Sequence, residues 1–439
     1  MSTRSNFVPS TNTDIRSILK ELGANSLEEF YWKVVPLRFR SEITPFPGFS
    51  ERNVVKRLED IFFRNKKFYH LLGGGFYDHY IPSALPHIVY RSEFYTAYTP
   101  YQPEASQGTL QAIYEYQSMI CRLTAMEVTN ASLYDGGSAI FEAVMMAIRI
   151  NSRRRILIDN LLNPIYRQML STYTANLEID LVFVDRSEIP EALSDDVSAV
   201  VVQMPDFLGQ VFDLTDIVEE SHRVGALVIQ SFYPISLGLL KPPGEMGVDI
   251  AVGEGQSLGI GLQFGGPYLG ILSTRKQFIR KMPGRIVGRT IDRRGKECFV
   301  LTLQAREQHI RREKATSNVC SNESLCALSA LVYIALLGER GLRDVARACH
   351  LRAKNLLDWA KGLGVEVVST PPVFNEFAVR IPNLQGFYEA CMKDGLVPGL
   401  RLEQFEPRYK DVLLVSLTEN TPEEAVRKWQ SQLLTHIQG

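Results

Sequence analysis

The 439 residues hold 45% apolar and 22% charged side chains, ordinary values for a folded chain. With 48 Lys and Arg against 49 Asp and Glu the net charge is -1, which excludes a general electrostatic attraction to nucleic acid or to an acidic membrane. The chain is longer than the roughly 250–300 residues at which a single core stops growing, so a large domain and a smaller one are expected.

The first sixty residues read as helices. Ile15, Ile18, Leu19 and Leu22 recur at helical spacing before Gly23, Ser26 and Glu29 have the spacing of a capping box, and Ser50 caps a third helix carrying Val54, Val55, Leu58, Ile61 and Phe62. This predicts a helical N-terminal arm over residues 1–70. From about Ser106 helices alternate with short β-branched runs: Arg155 to Ile158, Ile179 to Val184, Ala199 to Val202, Ala226 to Ile229 and Asp249 to Val252. Continuous apolar strands joined by crossover helices predict a mostly parallel, doubly wound α/β sheet over residues 71–310. An irregular basic stretch follows Arg280 to Lys296, then a long helical region through Leu363. The tail reads as a smaller α+β domain within residues 311–439: strands at Val365 to Val368, Phe377 to Ile381 and Val412 to Leu417, a helix at Gly386 to Lys393, and a last helix from Thr421 with Glu424 completing a capping box. Six cysteines (Cys121, Cys298, Cys320, Cys326, Cys349, Cys391) without C-x-x-C spacing argue for reduced thiols and against a structural zinc site. Met1–Arg4 has no signal-peptide core and the apolar run Ala327 to Leu337 is too short for a bilayer, so a cytoplasmic protein is expected.

Four segments could carry chemistry. Thr96–Gly108 (TAYTPYQPEASQG) is kept out of helix and central strand by Pro100 and Pro103, yet gathers two tyrosines, two glutamines and a glutamate ahead of a helix, which suits either a pocket wall or a packed surface loop. Gly73-Gly74-Gly75 marks either a close backbone approach to another chain or a ligand, or a flexible turn, and the following His79 is more simply a packed or solvated side chain than a base. Gly136-Gly137-Ser138 opens a helix whose free N–H groups could receive a phosphate, or is an ordinary helix start. Arg311-Arg312-Glu313-Lys314 is either a solvated face or an anion or partner contact. No dinucleotide fingerprint, P-loop, nucleophile elbow or zinc-protease helix occurs, which removes dehydrogenase, NTPase and hydrolase readings based on those motifs.

The strand to Val252, the loop Gly253–Gly259, then Gly265-Gly266-Pro267 and the run Tyr268 to Leu272 resemble the lysine-bearing segment of pyridoxal phosphate-dependent transferases of the aspartate aminotransferase fold. Gln256 stands at the lysine's place, and a glutamine amide cannot form a Schiff base. Together with Leu71–Gly75, Ser132–Ala139, Leu240–Asp249, Leu301–Asn318 (LTLQAREQHIRREKATSN) and Asn375–Phe377, the chain resembles along its whole length the glycine decarboxylases, or P-proteins, of the glycine cleavage system, on the side of the first (alpha) subunit of their two-chain form.

That resemblance implies a reaction in which glycine loses carbon dioxide on pyridoxal phosphate and the aminomethyl group passes to the lipoyl arm of H-protein. It implies a beta subunit that carries the lysine, an α2β2 tetramer, and sites at alpha–beta interfaces. Tyr98, Thr99, Tyr101, Gln102 and Glu104 are then the candidates to reach the partner's site, with Arg312 and Asn318 behind them. Lys241, in a turn before two prolines, and Lys276, beyond the next strand, are not placed to serve. Gln230, Ser231, Phe232 and Tyr233 occupy the strand and turn where such enzymes keep the acid for the pyridine nitrogen. Asp206 and Tyr233 depart from the family, whose alpha chains often have asparagine and aspartate near those positions. Two rival readings stand beside this one: a self-sufficient enzyme using Lys241, and a non-enzymatic scaffold.

Overall fold

The computed structural model describes residues 10–36, 39 and 48–438. The chain divides into two compact units, Met1–Lys66 and Lys67–Gly439. In the first, α1 (Asn12–Glu21) opens on a full capping box of Thr11 and Asp14, and α3 (Glu51–Phe62) on Ser50, while α2 lies between them at Leu27–Val34. Ser26 accepts from the Glu29 N–H, but the Glu29 carboxylate turns to the N–H of Asn25 at 2.8 Å, so only half of the expected box forms there. Of the α1 stripe only Leu19 is buried, and Val54, Val55, Leu58, Ile61 and Phe62 of α3 are exposed.

The second unit begins with β1 (Tyr69–His70), α4 (Ala84–Val89) and α5 (Ser92–Tyr95), then α6 (Gln107–Thr124), β2 (Val128–Thr129) and α7 (Gly136–Asn151). It continues with β3 (Arg155–Asp159), α8 (Pro164–Thr174), β4 (Asp180–Val184), α9 (Ile189–Ala192), β5 (Val197–Met204), α10 (Thr215–Arg223), β6 (Leu227–Phe232), β7 (Ile250–Glu254) and β8 (Gly270–Thr274). These strands build a seven-stranded sheet in the order β2-β8-β7-β6-β5-β3-β4. The five strands from β7 to β4 in that order run parallel, and β8 and β2 are antiparallel additions at one edge. The β-branched runs alternate between two cores: Ile156, Ile158, Val201 and Ile229 pack on Ile140 and Val144 of α7, while Val200, Val202 and Val228 pack with Ile217 and Val218 of α10. Burial on both faces is why these strands read as unbroken apolar runs.

After β8 the sequence reading fails. Where an irregular stretch and then helix are expected, β9 (Ile286–Ile291) and β10 (Glu297–Thr302) form an antiparallel hairpin. Val287, Phe299 and Leu301 face inward onto Leu110 and Ile113 of α6, while the charged tip is fixed by Asp292, which accepts from the N–H groups of Arg294 and Lys296 at 2.8 Å. The charges belong to the turn and the solvent side and conceal a period-two pattern. After α11 (Gln308–Arg311), α12 spans Ser324–Gly362 and is bent at Gly338, whose φ is 61°. By length and composition α12 could cross a membrane, but its first turns, Cys326 to Ile334, are buried in the protein core.

The remainder is β11 (Glu366–Val367), β12 (Glu376–Arg380), α13 (Leu384–Lys393), β13 (Leu396–Val397), β14 (Leu400–Arg401), β15 (Val412–Ser416) and α14 (Glu423–Gln438). An antiparallel four-stranded sheet, β11-β12-β15-β14, packs Phe377 and Val415 on Phe387 of α13 and Trp429 of α14, and β13 pairs with β1. This is the expected small α+β domain. The box expected at its last helix does not form: α14 begins at Glu423, the Thr421 hydroxyl accepts from the N–H of Thr418 at 2.9 Å, and Glu424 accepts from the Tyr69 hydroxyl at 2.8 Å.

Candidate active-site cleft

In parallel α/β sheets ligands collect outside the carboxyl ends of the strands. Here Gln203, Ser231 and Glu254, from the ends of β5, β6 and β7, line a cleft of about 30 Å³ with Tyr77, Asn163 and Tyr166. That is room for two waters at roughly 10–15 Å³ each.

Gln256 sits just beyond β7 and is 1% exposed. Its side-chain oxygen accepts from the Tyr77 N–H at 3.0 Å, and its amide nitrogen donates to the carbonyls of Tyr77 at 3.0 Å and Ile260 at 2.8 Å. The amide thus matches both polar groups of one buried residue's backbone. An ammonium, with three donors and no acceptor, could not replace it without orphaning the Tyr77 N–H.

Two residues earlier, Glu254 is also buried, and its carboxyl accepts from three backbone N–H groups: Gly136 at 2.9 Å, Gln256 at 2.9 Å and Leu269 at 3.2 Å. Burial pushes it up to about 8, with those three donors pulling the other way. Asp135, the N-cap of α7, takes the Ser138 N–H at 2.8 Å. The helix start that could have received a phosphate is therefore supplied with acceptors from within the chain, a correction to the phosphate reading of Gly136-Gly137-Ser138. On β6 the buried Gln230 has no hydrogen-bond partner for either amide atom among the described residues. Lys241 and Lys276 are exposed and neither lines the cleft. Asp206, buried, is tied to Arg186 at 2.8 Å and to Gln210 at 2.7 Å.

The three glycines do mark a close backbone approach rather than a flexible turn, but to side chains of this same chain and not to another chain or a ligand. Gly74 donates to Glu376 at 2.9 Å and accepts from the Asn163 side chain at 2.9 Å, and a Cβ on Gly73 would lie 2.5 Å from Glu376 and Ser416. The Tyr77 hydroxyl donates to Glu376 at 2.7 Å. Burial pushes Glu376 up to about 7. His79 is buried between Glu419, at 2.8 Å, and the Tyr233 hydroxyl, so it is a packed histidine.

The loop Thr96–Gly108 lies apart from this cleft and presents its side chains outward. Tyr98 is 79% exposed, Gln102 and Glu104 are exposed, Thr99 is half-buried, and the side chains of Tyr98, Gln102 and Glu104 make no hydrogen bond among the described residues. Tyr101 is held: its hydroxyl accepts from the buried Arg285 at 2.9 Å, and its ring meets His309 edge-on at 5.3 Å. Arg285 in turn lies 3.4 Å from Glu307. Arg312 and Asn318 are exposed and join neither the cleft nor this cluster, and Arg312 has φ 54°. Glu254, Tyr77, Glu376 and Arg285 are absent from the sequence-predicted set. Glu254 alone had a local signal, an acid closing a buried strand two residues before Gln256. The others depend on contacts across 184 to 302 positions of chain.

The large sheet with its small C-terminal domain defines the class. An aspartate aminotransferase of subgroup IV from Thermus thermophilus superposes with a TM-score of 0.57 at 14% identity, covering 84% of this chain and 99% of that one, and so shares the fold. The glycine cleavage system P-protein family model matches residues 5–433. A probable glycine dehydrogenase (decarboxylating) subunit 1 from Geotalea daltonii is 47% identical, with 94% of this chain and 96% of that protein covered. A crystal structure of an inhibitor-bound glycine decarboxylase (P-protein) of the glycine cleavage system superposes with a TM-score of 0.89 at 39% identity, covering 98% of this chain and 100% of that one. The chain belongs to the glycine cleavage system P-protein family and, within it, groups with glycine dehydrogenase (decarboxylating) subunit 1.

Proposed function

We propose that this chain is the half of a two-chain glycine-decarboxylating enzyme that does not hold the cofactor. Pyridoxal phosphate sits on a beta-type partner, two such pairs assemble as an α2β2 tetramer, and the aminomethyl group left by decarboxylation of glycine goes to the lipoyl arm of H-protein. The observation that carries this reading is Gln256, whose amide is committed to the backbone of Tyr77 at the place of the expected amine. The rest of the cleft agrees: Glu254 fills the start of α7, and no acid lies from Leu227 to Tyr233. These residues do not fit the cofactor, so no step of the reaction is assigned to them.

What this chain contributes is a surface. Tyr98, Thr99, Gln102 and Glu104 reach outward to the partner's site, Tyr101 is pre-set beside them by Arg285, and Arg312 and Asn318 are further exposed groups offered to the partner apart from that cluster. Donors and acceptors held in a stiff, proline-bracketed loop can complete a site across an interface with little ordering cost. Six unpaired thiols suit a reducing compartment, the cytoplasm. The test is reconstitution with a beta-type partner and glycine-dependent exchange of carbon dioxide. Activity is expected only for the pair, and turnover by this chain alone overturns the reading.

A further inference from the structure

We infer that Glu254 is the residue that keeps phosphate compounds out of this chain's cleft, by occupying from within the backbone cradle that a phosphate group would otherwise take. The cradle is the N-terminus of α7, a helix of 16 residues, where N–H groups point outward and the helix dipole favours an acceptor oxygen. Gly136 puts its N–H on the Glu254 carboxyl at 2.9 Å. A side chain at Gly136 would meet the Tyr166 hydroxyl at 2.8 Å and Glu254 Cβ at 3.0 Å, so the space in front of the helix is bounded by those two groups.

Tyr166 is the second sign of a ligand's place. Tyr166 is 7% exposed, and its hydroxyl has no hydrogen-bond partner among the described residues although it faces the same spot. Buried hydroxyls normally find a partner. Asn163 and Ser231 also line the cleft. With Glu254 shortened, the Gly136, Gln256 and Leu269 N–H groups and the Tyr166 hydroxyl form an unfilled set of donors of the kind that binds an oxyanion. Asp135 remains nearby, but its two oxygens are turned to the N–H and hydroxyl of Ser138, at 2.8 Å each. The consequence is that one acid, rather than the lost amine alone, directs a phosphorylated cofactor away from this chain.

The test uses the full chain alone, so its outcome is separate from that of reconstitution with a partner. Melting is followed in inorganic phosphate, in formate and in chloride at equal ionic strength. The parent should respond equally to all three. Glu254→Ala should melt lower and be restored by phosphate, with at least about tenfold tighter phosphate binding than the parent. Glu254→Gln still fills the cradle but turns a non-accepting NH2 onto one of its N–H groups, so it should melt lower than the parent without being restored by phosphate. If Glu254→Ala does not fold, Glu254→Ser, whose hydroxyl can still accept from the Gln256 N–H, takes its place. Restoration by formate and not by phosphate overturns the proposal, as does a parent that binds phosphate as well as the variant. So does failure of both short variants to fold even in phosphate, because phosphate should supply the missing acceptor.

Discussion

The cleft around Glu254 and the loop around Tyr101 hold similar residue types and use them in opposite ways. In the cleft Gln256 is spent on Tyr77, Glu254 on three amides and Glu376 on Gly74 and Tyr77, while the Tyr166 hydroxyl is left without a partner among the described residues. In the loop the side chains of Tyr98, Gln102 and Glu104 have no such partners and stand in solvent, with the loop anchored at Tyr101 and at Gln107, whose amide pairs with the Phe299 backbone. Buried polar groups that satisfy one another specify a fold. Exposed ones on a stiff loop are available to another molecule. Under the proposed function the cleft serves as structure, and the loop, set apart from it, is what this chain offers to its partner.

The strongest blow to that contrast is Gln256→Lys. It places a cation where the Tyr77 N–H needs an acceptor, and denaturant unfolding should register a loss of about 3–5 kcal/mol without any covalent cofactor appearing. A lysine variant as stable as the parent that takes up pyridoxal phosphate would mean that a single residue separates this cleft from an active one. Next comes pH. Burial holds Glu376 up to about 7 and Glu254 up to about 8, both above an unfolded value near 4.5. The folded chain therefore binds these protons more tightly, so their contribution to stability is complete below about pH 4.5 and is lost as pH rises through 7 to 8. From pH 5 to 9 stability should fall, by at most about 7 kcal/mol if both groups titrate in full at about 1.36 kcal/mol per unit, and Glu376→Gln should flatten part of that slope. A stability that rises across this window would contradict the assignment.

The loop should respond differently. Tyr98→Phe and Gln102→Ala should leave unfolding within about 0.5 kcal/mol of the parent, yet lower turnover of the reconstituted pair about tenfold, near 1.4 kcal/mol each. Tyr101→Phe should do both, since the buried Arg285 loses an acceptor worth about 1–2 kcal/mol. Equal turnover in all three variants would make the loop a packing element. The smallest effect is expected at Arg312, whose φ of 54° suits glycine: Arg312→Gly should raise stability by up to about 1 kcal/mol in the same unfolding measurement.

Much of this contrast was legible in the residues, and the gaps have physical causes. The parallel strands announced themselves because Val200 to Val202 and Leu227 to Ile229 are buried on both faces. The β9–β10 hairpin did not, because its charged turn and exposed faces outnumber Val287, Phe299 and Leu301. Gln256 could be singled out from its segment, but its bond to Tyr77 spans 179 positions and no local pattern encodes that. Tyr101 was found by composition and Arg285 was missed, since a lone arginine acquires meaning only when the hairpin sets it under the loop. Arg312 and Asn318 were chosen for lying in a specific motif, and motif membership does not say which way a side chain faces.

The most direct measurement is to assemble this chain with a beta-type partner in pyridoxal phosphate, reduce the complex with borohydride, and find which polypeptide keeps the label. The account predicts the label on the partner alone, with glycine-dependent carbon dioxide exchange present before reduction. Label on any lysine of this chain would contradict it.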